Sequence, residues 1–173
     1  GTVEEGIAVE RRLLVDLARL ADHVIDTSSL NIHQLKAAVV QYVSGAARPT
    51  VVNLVSFGFR YGTPQAVELL FDVRLLPNPY FEERLRPLTG LDAEVRKYVL
   101  ESARGAALEQ RLRDLLRFLL PLYDAEGKAY LTIGIGCTGG RHRSVAVVGA
   151  LADELRACGR AVNVENRDVA RGA

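Results

Sequence analysis

The chain has 173 residues, 49% of them hydrophobic and 25% charged, with 22 Lys and Arg against 21 Asp and Glu for a formal net charge of +1. These figures fit one ordinary folded domain, or one domain plus part of another, and exclude both a disordered chain and one that grips nucleic acid by bulk charge. The longest apolar run, Val145–Ala152, is far short of the roughly 20 residues a membrane-spanning helix needs, and Glu4, Glu5 and Glu10 argue against a signal peptide at the start. Cys137 and Cys158 alone cannot build a disulfide framework in a chain of this length, so a cytoplasmic setting is expected. Methionine is absent throughout, including at the start, which predicts a piece of a longer protein.

Residues 5–21 place Ile7, Leu13, Leu14, Leu17 and Leu20 on one helical face, with charges opposite. His23-Val24-Ile25 reads as a short strand, and Thr27 and Ser28 precede a second helix over about 30–44. Gly45-Ala46-Ala47-Arg48-Pro49 reads as a linker. The first 44 residues carry 4 basic and 6 acidic groups and the remaining 129 carry 18 and 15, so the sign of the charge changes at that linker. A domain boundary is therefore placed near residue 48, separating 1–47 from 48–173.

Beyond it, Thr50–Ser56 is β-branched and apolar, as a buried parallel strand should be, and Leu69–Arg74 is a second such strand. Residues 75–90 hold Pro77, Pro79, Pro87 and Gly90 and predict a long surface loop, a feature more often functional than decorative. Helices follow over about 91–102 and 106–123. Tyr130–Gly136 is a third strand, a Gly-rich turn leads into a helix over 143–158, and Ala161–Glu165 is the last strand. Alternating strands and helices predict an α/β domain with a mainly parallel sheet and flanking helices.

The stretch with chemistry in it is Gly136-Cys137-Thr138-Gly139-Gly140-Arg141-His142-Arg143-Ser144. It lies between a strand and a helix, at the carboxyl end of the sheet, where open α/β folds place ligands. Glycines let the backbone approach a bound group, and a helix N-terminus adds unpaired N–H donors and a positive dipole end. Arg143 supplies a planar fork that matches phosphate or sulfate. The plain alternative is a connecting turn with solvated arginines; glycines and cations coinciding where a helix starts weigh against it. The same stretch has the form C-x-x-G-x-x-R-S of the cysteine-dependent phosphatases, in which Cys137 would be a thiolate nucleophile. Gly136 stands where those enzymes usually carry His, and no aspartate is an obvious general acid, so phosphate binding without hydrolysis is the preferred reading.

GCTGGRHRS, with SFGFRYGTP (56–64), FDVRLLPNP (71–79) and LRPLTGLD (85–92), resembles the C-terminal domain of the RapZ/YvcJ family in both order and spacing. The upstream EGIAVERRLL…ADHVIDTSSLNIHQL resembles the end of that family's N-terminal P-loop domain. No G-x-x-x-x-G-K-[ST] sequence occurs here. The resemblance thus implies that ATP or GTP binding and hydrolysis belong to a part of the parent outside this chain, which itself has no cofactor and no catalytic residue.

The resemblance further implies a fold similar to the sugar-phosphate domain of phosphofructokinase and a regulatory domain controlling amino-sugar metabolism. Such a domain would bind a sugar phosphate like glucosamine 6-phosphate, small RNA, and an endoribonuclease, and a homo-oligomer is expected. The ligand would sit on Cys137, Thr138, Gly139, Gly140, His142, Arg143 and Ser144, with Arg74, Asn78 and Tyr61 nearby. Arg141, Arg160 and Arg167, expected close to the anion loop, would contact RNA. Tyr61 stands where the RNA-binding family member has His, and the basic tail of that member is replaced by Arg167–Ala173. With three histidines and two distant cysteines, no metal site is expected.

Overall fold

Two mainly apolar, β-rich segments become the two central strands of one sheet, because strands covered on both faces are built largely from apolar residues. A computed structural model of the chain describes residues 2–21, 24–44 and 49–171. Strands β1 (Val51–Gly58) and β3 (Tyr130–Cys137) pair in parallel over their full length, from Val51 opposite Tyr130 to Gly58 opposite Cys137. The short strands β2 (Leu69–Asp72) and β4 (Val162–Asn166) flank them in the order β2-β3-β1-β4, all parallel. Buried residues run without a break along the carboxyl halves of β1 and β3, whereas β2 alternates between half-buried and exposed. The expected α/β fold is therefore present, with a wholly parallel sheet.

Helix α5 (Arg143–Ala157) packs along β1, β3 and β4, and α3 (Ala93–Leu100) and α4 (Ala103–Ala125) pack against it. One core results, with Val52, Leu54 and Ile133 of the sheet meeting Val147, Leu151 and Leu116 of the helices. Parallel strands need crossover connections, and α5 is the one that returns the chain from β3 to β4.

Several boundaries differ from expectation for local reasons. α4 starts at Ala103 rather than 106 because the Ser102 hydroxyl accepts the Gly105 N–H at 3.0 Å. β2 stops at Asp72 because its carboxylate accepts the Arg74 N–H at 2.9 Å and turns the chain. The second helix, α2 (Ile32–Ser44), is opened by a reciprocal pair in which Asn31 and Gln34 each accept the other's N–H at 2.9 Å, not by Thr27 or Ser28. Within the loop 75–90, Pro79–Phe81 forms one 3-10 turn.

Helix α1 (Val3–Leu20) opens with a full capping box between Thr2 and Glu5, and its apolar residues Ile7, Leu13, Leu14, Leu17 and Leu20 are all exposed. Val24 and Ile25 lie in no regular element, so the short strand expected there is not formed by them; His23 lies outside the described residues. So do residues 45–48 of the expected linker, and with them the boundary at residue 48. Among the described residues, no helix is long and apolar enough to cross a membrane.

Candidate anion-binding site

The 137–143 loop begins where β3 ends and is shaped by two close backbone approaches. Gly140 has φ of +72°, and a Cβ there would stand 2.6 Å from the Gly58 nitrogen and 2.8 Å from the Asp168 Cβ. Only glycine fits both the left-handed backbone and the space. A Cβ on Gly58 would in turn meet the Gly139 carbonyl carbon at 2.6 Å. Gly139 itself faces open space, with nothing within 4 Å of its Cβ position.

Buried Cys137 closes the loop from within. Its Sγ accepts the Gly140 N–H at 3.2 Å and lies 3.2 Å from the Ser144 hydroxyl. The N–H groups of Thr138, Gly139, Arg141 and His142 make no hydrogen bond among the described residues. The first-turn N–H groups of α5, from Arg143 onward, have no intrahelical acceptor either. Loop and helix start thus leave a set of backbone donors at one end of the sheet, beside a cavity of about 470 Å³. That size lies within the usual range for small-ligand sites.

Four arginines line this cavity, and they arrive from three parts of the chain: Arg60 after β1, Arg141 and Arg143 from the loop, and Arg171 near the carboxyl terminus. Among the described residues no carboxylate lines it. Arg143 is 6% exposed, and its Nη1 donates to the Arg74 carbonyl at 2.7 Å while its Nη2 donates to the Thr138 hydroxyl at 3.1 Å. Arg141 donates to the carbonyls of Leu88 at 3.1 Å and Pro87 at 2.5 Å, which ties the Pro-rich loop down. Arg60 is held by its backbone N–H, which donates to the Thr138 carbonyl at 3.2 Å, and its exposed guanidinium has no ion pair among the described residues. Burial holds the His142 ring below the usual histidine pKa, and Arg141 and Arg143 add to that against carbonyl hydrogen bonds that oppose it.

Of the residues selected from sequence, Cys137, Thr138, Gly139, His142, Arg143 and Asn78 line the cavity. Gly140 and Ser144 lie behind it as supports. Arg74 turns away: its side chain pairs with both Asp72 oxygens and lies over the Phe59 ring at 4.4 Å. Tyr61 does not line the cavity; its hydroxyl donates to the Arg171 carbonyl at 3.2 Å.

Of the three arginines expected to reach RNA, only Arg141 lines the cavity. Arg167 is consumed by Asp168 and by the Gly62 carbonyl, at 2.7 and 2.6 Å. The expectation for Arg160 is corrected. It is not beside the anion loop but beyond the far end of α5, where it pairs with both oxygens of Asp124 at 2.9 and 2.7 Å. Helix α5 has 15 residues, which at 1.5 Å each puts its ends about 22 Å apart.

Sequence reasoning missed Arg60, Tyr80, Phe81 and Arg171 at the cavity. It also missed Asp168, whose fully buried carboxylate accepts the Gly58 N–H at 2.9 Å. Burial pushes the Asp168 pKa up, but Arg167, the Gly58 N–H and Arg171 more than offset this and hold it low. The aromatic signal was legible as Tyr80-Phe81 after Asn78-Pro79; nothing local marks Asp168. Among the described residues no cluster of three or more His, Cys, Asp or Glu could hold a metal ion.

Comparison with known proteins agrees with the four-block pattern. Residues 50–170 match the family model for the RapZ C-terminal domain. The chain belongs to this family. A nucleotide-binding protein of Anaeromyxobacter sp. (strain K) is 52% identical over 170 residues, covering 98% of this chain and 58% of that protein. A nucleotide-binding protein of Geobacter sulfurreducens is 50% identical over 174 residues, and one of Pelobacter propionicus 47% over 173. This RapZ-type chain spans about three fifths of the length of such relatives, 58 to 61%.

Proposed function

We propose that this RapZ-type domain is a regulatory binding module that takes phosphate, sulfate or the phosphate end of a sugar phosphate on the 137–143 loop. The observation that carries this reading is a cavity lined, among the described residues, by four arginines and no carboxylate, beside backbone donors that find no acceptor among those residues. Such an array binds an anion because each donor is already aimed and no like charge must be moved. In this reading the domain has no catalytic role of its own, and ATP or GTP chemistry belongs to the remainder of the parent protein. The names of the relatives support a nucleotide-binding parent. Small RNA and an endoribonuclease are the partners through which ligand occupancy would act, in a cytoplasmic homo-oligomer.

Calorimetric titration with phosphate, sulfate and a sugar phosphate tests the site. Gly139→Ala is the informative variant, because its added methyl meets no protein atom within 4 Å and so leaves the fold alone. Saturable binding that weakens in Gly139→Ala supports the reading, and unchanged affinity removes the loop from the site. Hydrolysis of an aryl phosphate that disappears in Cys137→Ser would instead establish the phosphatase alternative.

A further inference from the structure

We propose that Tyr61 is a positioning residue of the anion site, whose ring holds Arg60 and Arg171 beside the cavity with their N–H groups left for a phosphate; this rests on the anion-site reading above. The Arg60 guanidinium carbon lies 5.9 Å from the Tyr61 ring centroid and that of Arg171 lies 5.6 Å from it, both within cation–π range. One half-buried ring thus gathers two exposed cations from distant parts of the chain. Both arginines line the cavity, and Tyr61 does not. Tyr61 is itself fixed. It ends the 3-10 turn Phe59–Tyr61, which is closed by the Gly62 N–H donating to the Phe59 carbonyl at 3.1 Å. Its hydroxyl donates to the Arg171 carbonyl at 3.2 Å, so it also holds the backbone that carries the second arginine. That backbone is tied again by the Arg171 N–H, which donates to the Asp168 carbonyl at 3.0 Å.

The manner of holding is what matters. Arg141 and Arg143, in the same cavity, are held through their N–H groups by the carbonyls of Leu88, Pro87 and Arg74. Each of those bonds uses a donor that a ligand could otherwise take. A cation–π contact draws on the charge of the guanidinium and consumes no donor. The Arg60 side chain makes no hydrogen bond among the described residues and is held by the ring alone. Arg171 has one further neighbour, the buried Asp168 Oδ1, 3.6 Å from its Nε and too far for a hydrogen bond. Two guanidinium groups gathered at one ring also repel each other, and an anion beside both relieves that repulsion. A phosphate therefore meets donors already in place, instead of ordering two long exposed side chains as it binds.

The test is calorimetric titration with inorganic phosphate of the purified chain and of Tyr61→Phe, Tyr61→Leu and Tyr61→Gln. The last two remove the ring from a half-buried position, and using both guards against one that fails to fold. Each should weaken binding at least about fivefold, the low end of the cost of ordering two long side chains on binding. Tyr61→Phe keeps the ring and should bind within about twofold of the unaltered chain. The deciding comparison repeats Tyr61→Leu in the Arg60→Ala and Arg171→Ala backgrounds. With one of its two arginines gone the ring has less to position, so the loss from Tyr61→Leu should shrink in each. A residue that touches phosphate itself, or that serves only the fold, would lose as much there as in the unaltered chain. An undiminished loss in both backgrounds, or Tyr61→Phe as weak as Tyr61→Leu, overturns the positioning role while the anion site stands. Unchanged affinity in Tyr61→Leu and Tyr61→Gln overturns it as well. If the unaltered chain binds no phosphate, the anion-site reading itself fails and this inference with it.

Discussion

Asp168 Oδ2 accepts the backbone N–H of Gly58 at 2.9 Å, and this one bond joins the end of β1 to the carboxyl-terminal segment across 110 residues. The same oxygen accepts from Arg167 at 2.7 Å, so Oδ2 serves both the backbone donor and the guanidinium, while buried Oδ1 has no hydrogen-bond partner among the described residues and lies 3.6 Å from the Arg171 Nε. Gly140 packs against both partners. The anion loop is therefore propped from behind by residues that never face the cavity.

Removing that prop should be costly. Asp168→Ala leaves the buried Gly58 N–H without an acceptor and the Arg167 guanidinium with only the Gly62 carbonyl, a loss of about 1–3 kcal/mol for a buried donor left unsatisfied. A lowered urea midpoint with an unchanged slope would register it. Because the Asp168 pKa is depressed on folding, its contribution is complete above the ordinary carboxylate range and is lost as pH falls through the folded value. Asp168→Asn should remove that share of the acid sensitivity.

His142 gives a pH dependence of the opposite origin. Its folded pKa lies below the ordinary histidine value of about 6.5, so the unfolded chain binds more protons just below that pH. Stability contributed by neutral His142 is complete above about 6.5 and falls as pH drops toward the lower folded value. His142→Gln should flatten this part of the stability curve, measured by urea unfolding from pH 7.5 to 5. A curve as steep as that of the unaltered chain would assign the slope to other groups.

Neighbouring glycines should separate fold from binding. Gly140→Ala forces a side chain into a left-handed conformation and against backbone 2.6 Å away, and should destabilise by at least the roughly 1–3 kcal/mol typical of such strain. Gly139→Ala should leave the thermal midpoint unchanged and weaken phosphate binding. Equal stability of the two variants would show that the loop is looser than its packing implies.

Arginines should separate in the same way. Arg143 is almost fully buried and holds the Arg74 carbonyl, so Arg143→Ala should lower stability as well as affinity. Arg60 is exposed and has no ion pair among the described residues, so Arg60→Ala should weaken phosphate binding severalfold without moving the thermal midpoint. Paired binding and melting measurements on the two variants check both statements.

Cys137 and Cys158 should remain unbridged. They flank α5, whose ends are about 22 Å apart, whereas a disulfide needs Cα atoms within about 7 Å. Cys137 is buried and Cys158 exposed, so a thiol reagent should label the native protein once, at Cys158. Two labels, or none, under non-denaturing conditions would contradict the placement of α5.

The sequence by itself determined the four strands of the sheet, the helices that cover it and the Gly-rich loop that joins β3 to α5. All of these are written in short-range signals: apolar runs such as those of β1 and β3, and glycines where a strand turns into a helix. Boundaries moved where a single side chain caps or turns the backbone, as Ser102 and Asp72 do. Only the tertiary structure decided which arginines are available. Arg141, Arg160 and Arg167 have partners 28 to 105 residues away or immediately adjacent, and each is held by them. Arg60 and Arg171 stay exposed and line the cavity although they are far apart in the chain, Arg171 with its Nε 3.6 Å from the Asp168 carboxylate. A guanidinium carries the same charge wherever it stands in a sequence. Whether it braces a loop or meets a ligand depends on which carbonyls and carboxylates the fold brings within about 3 Å, and no local pattern encodes that.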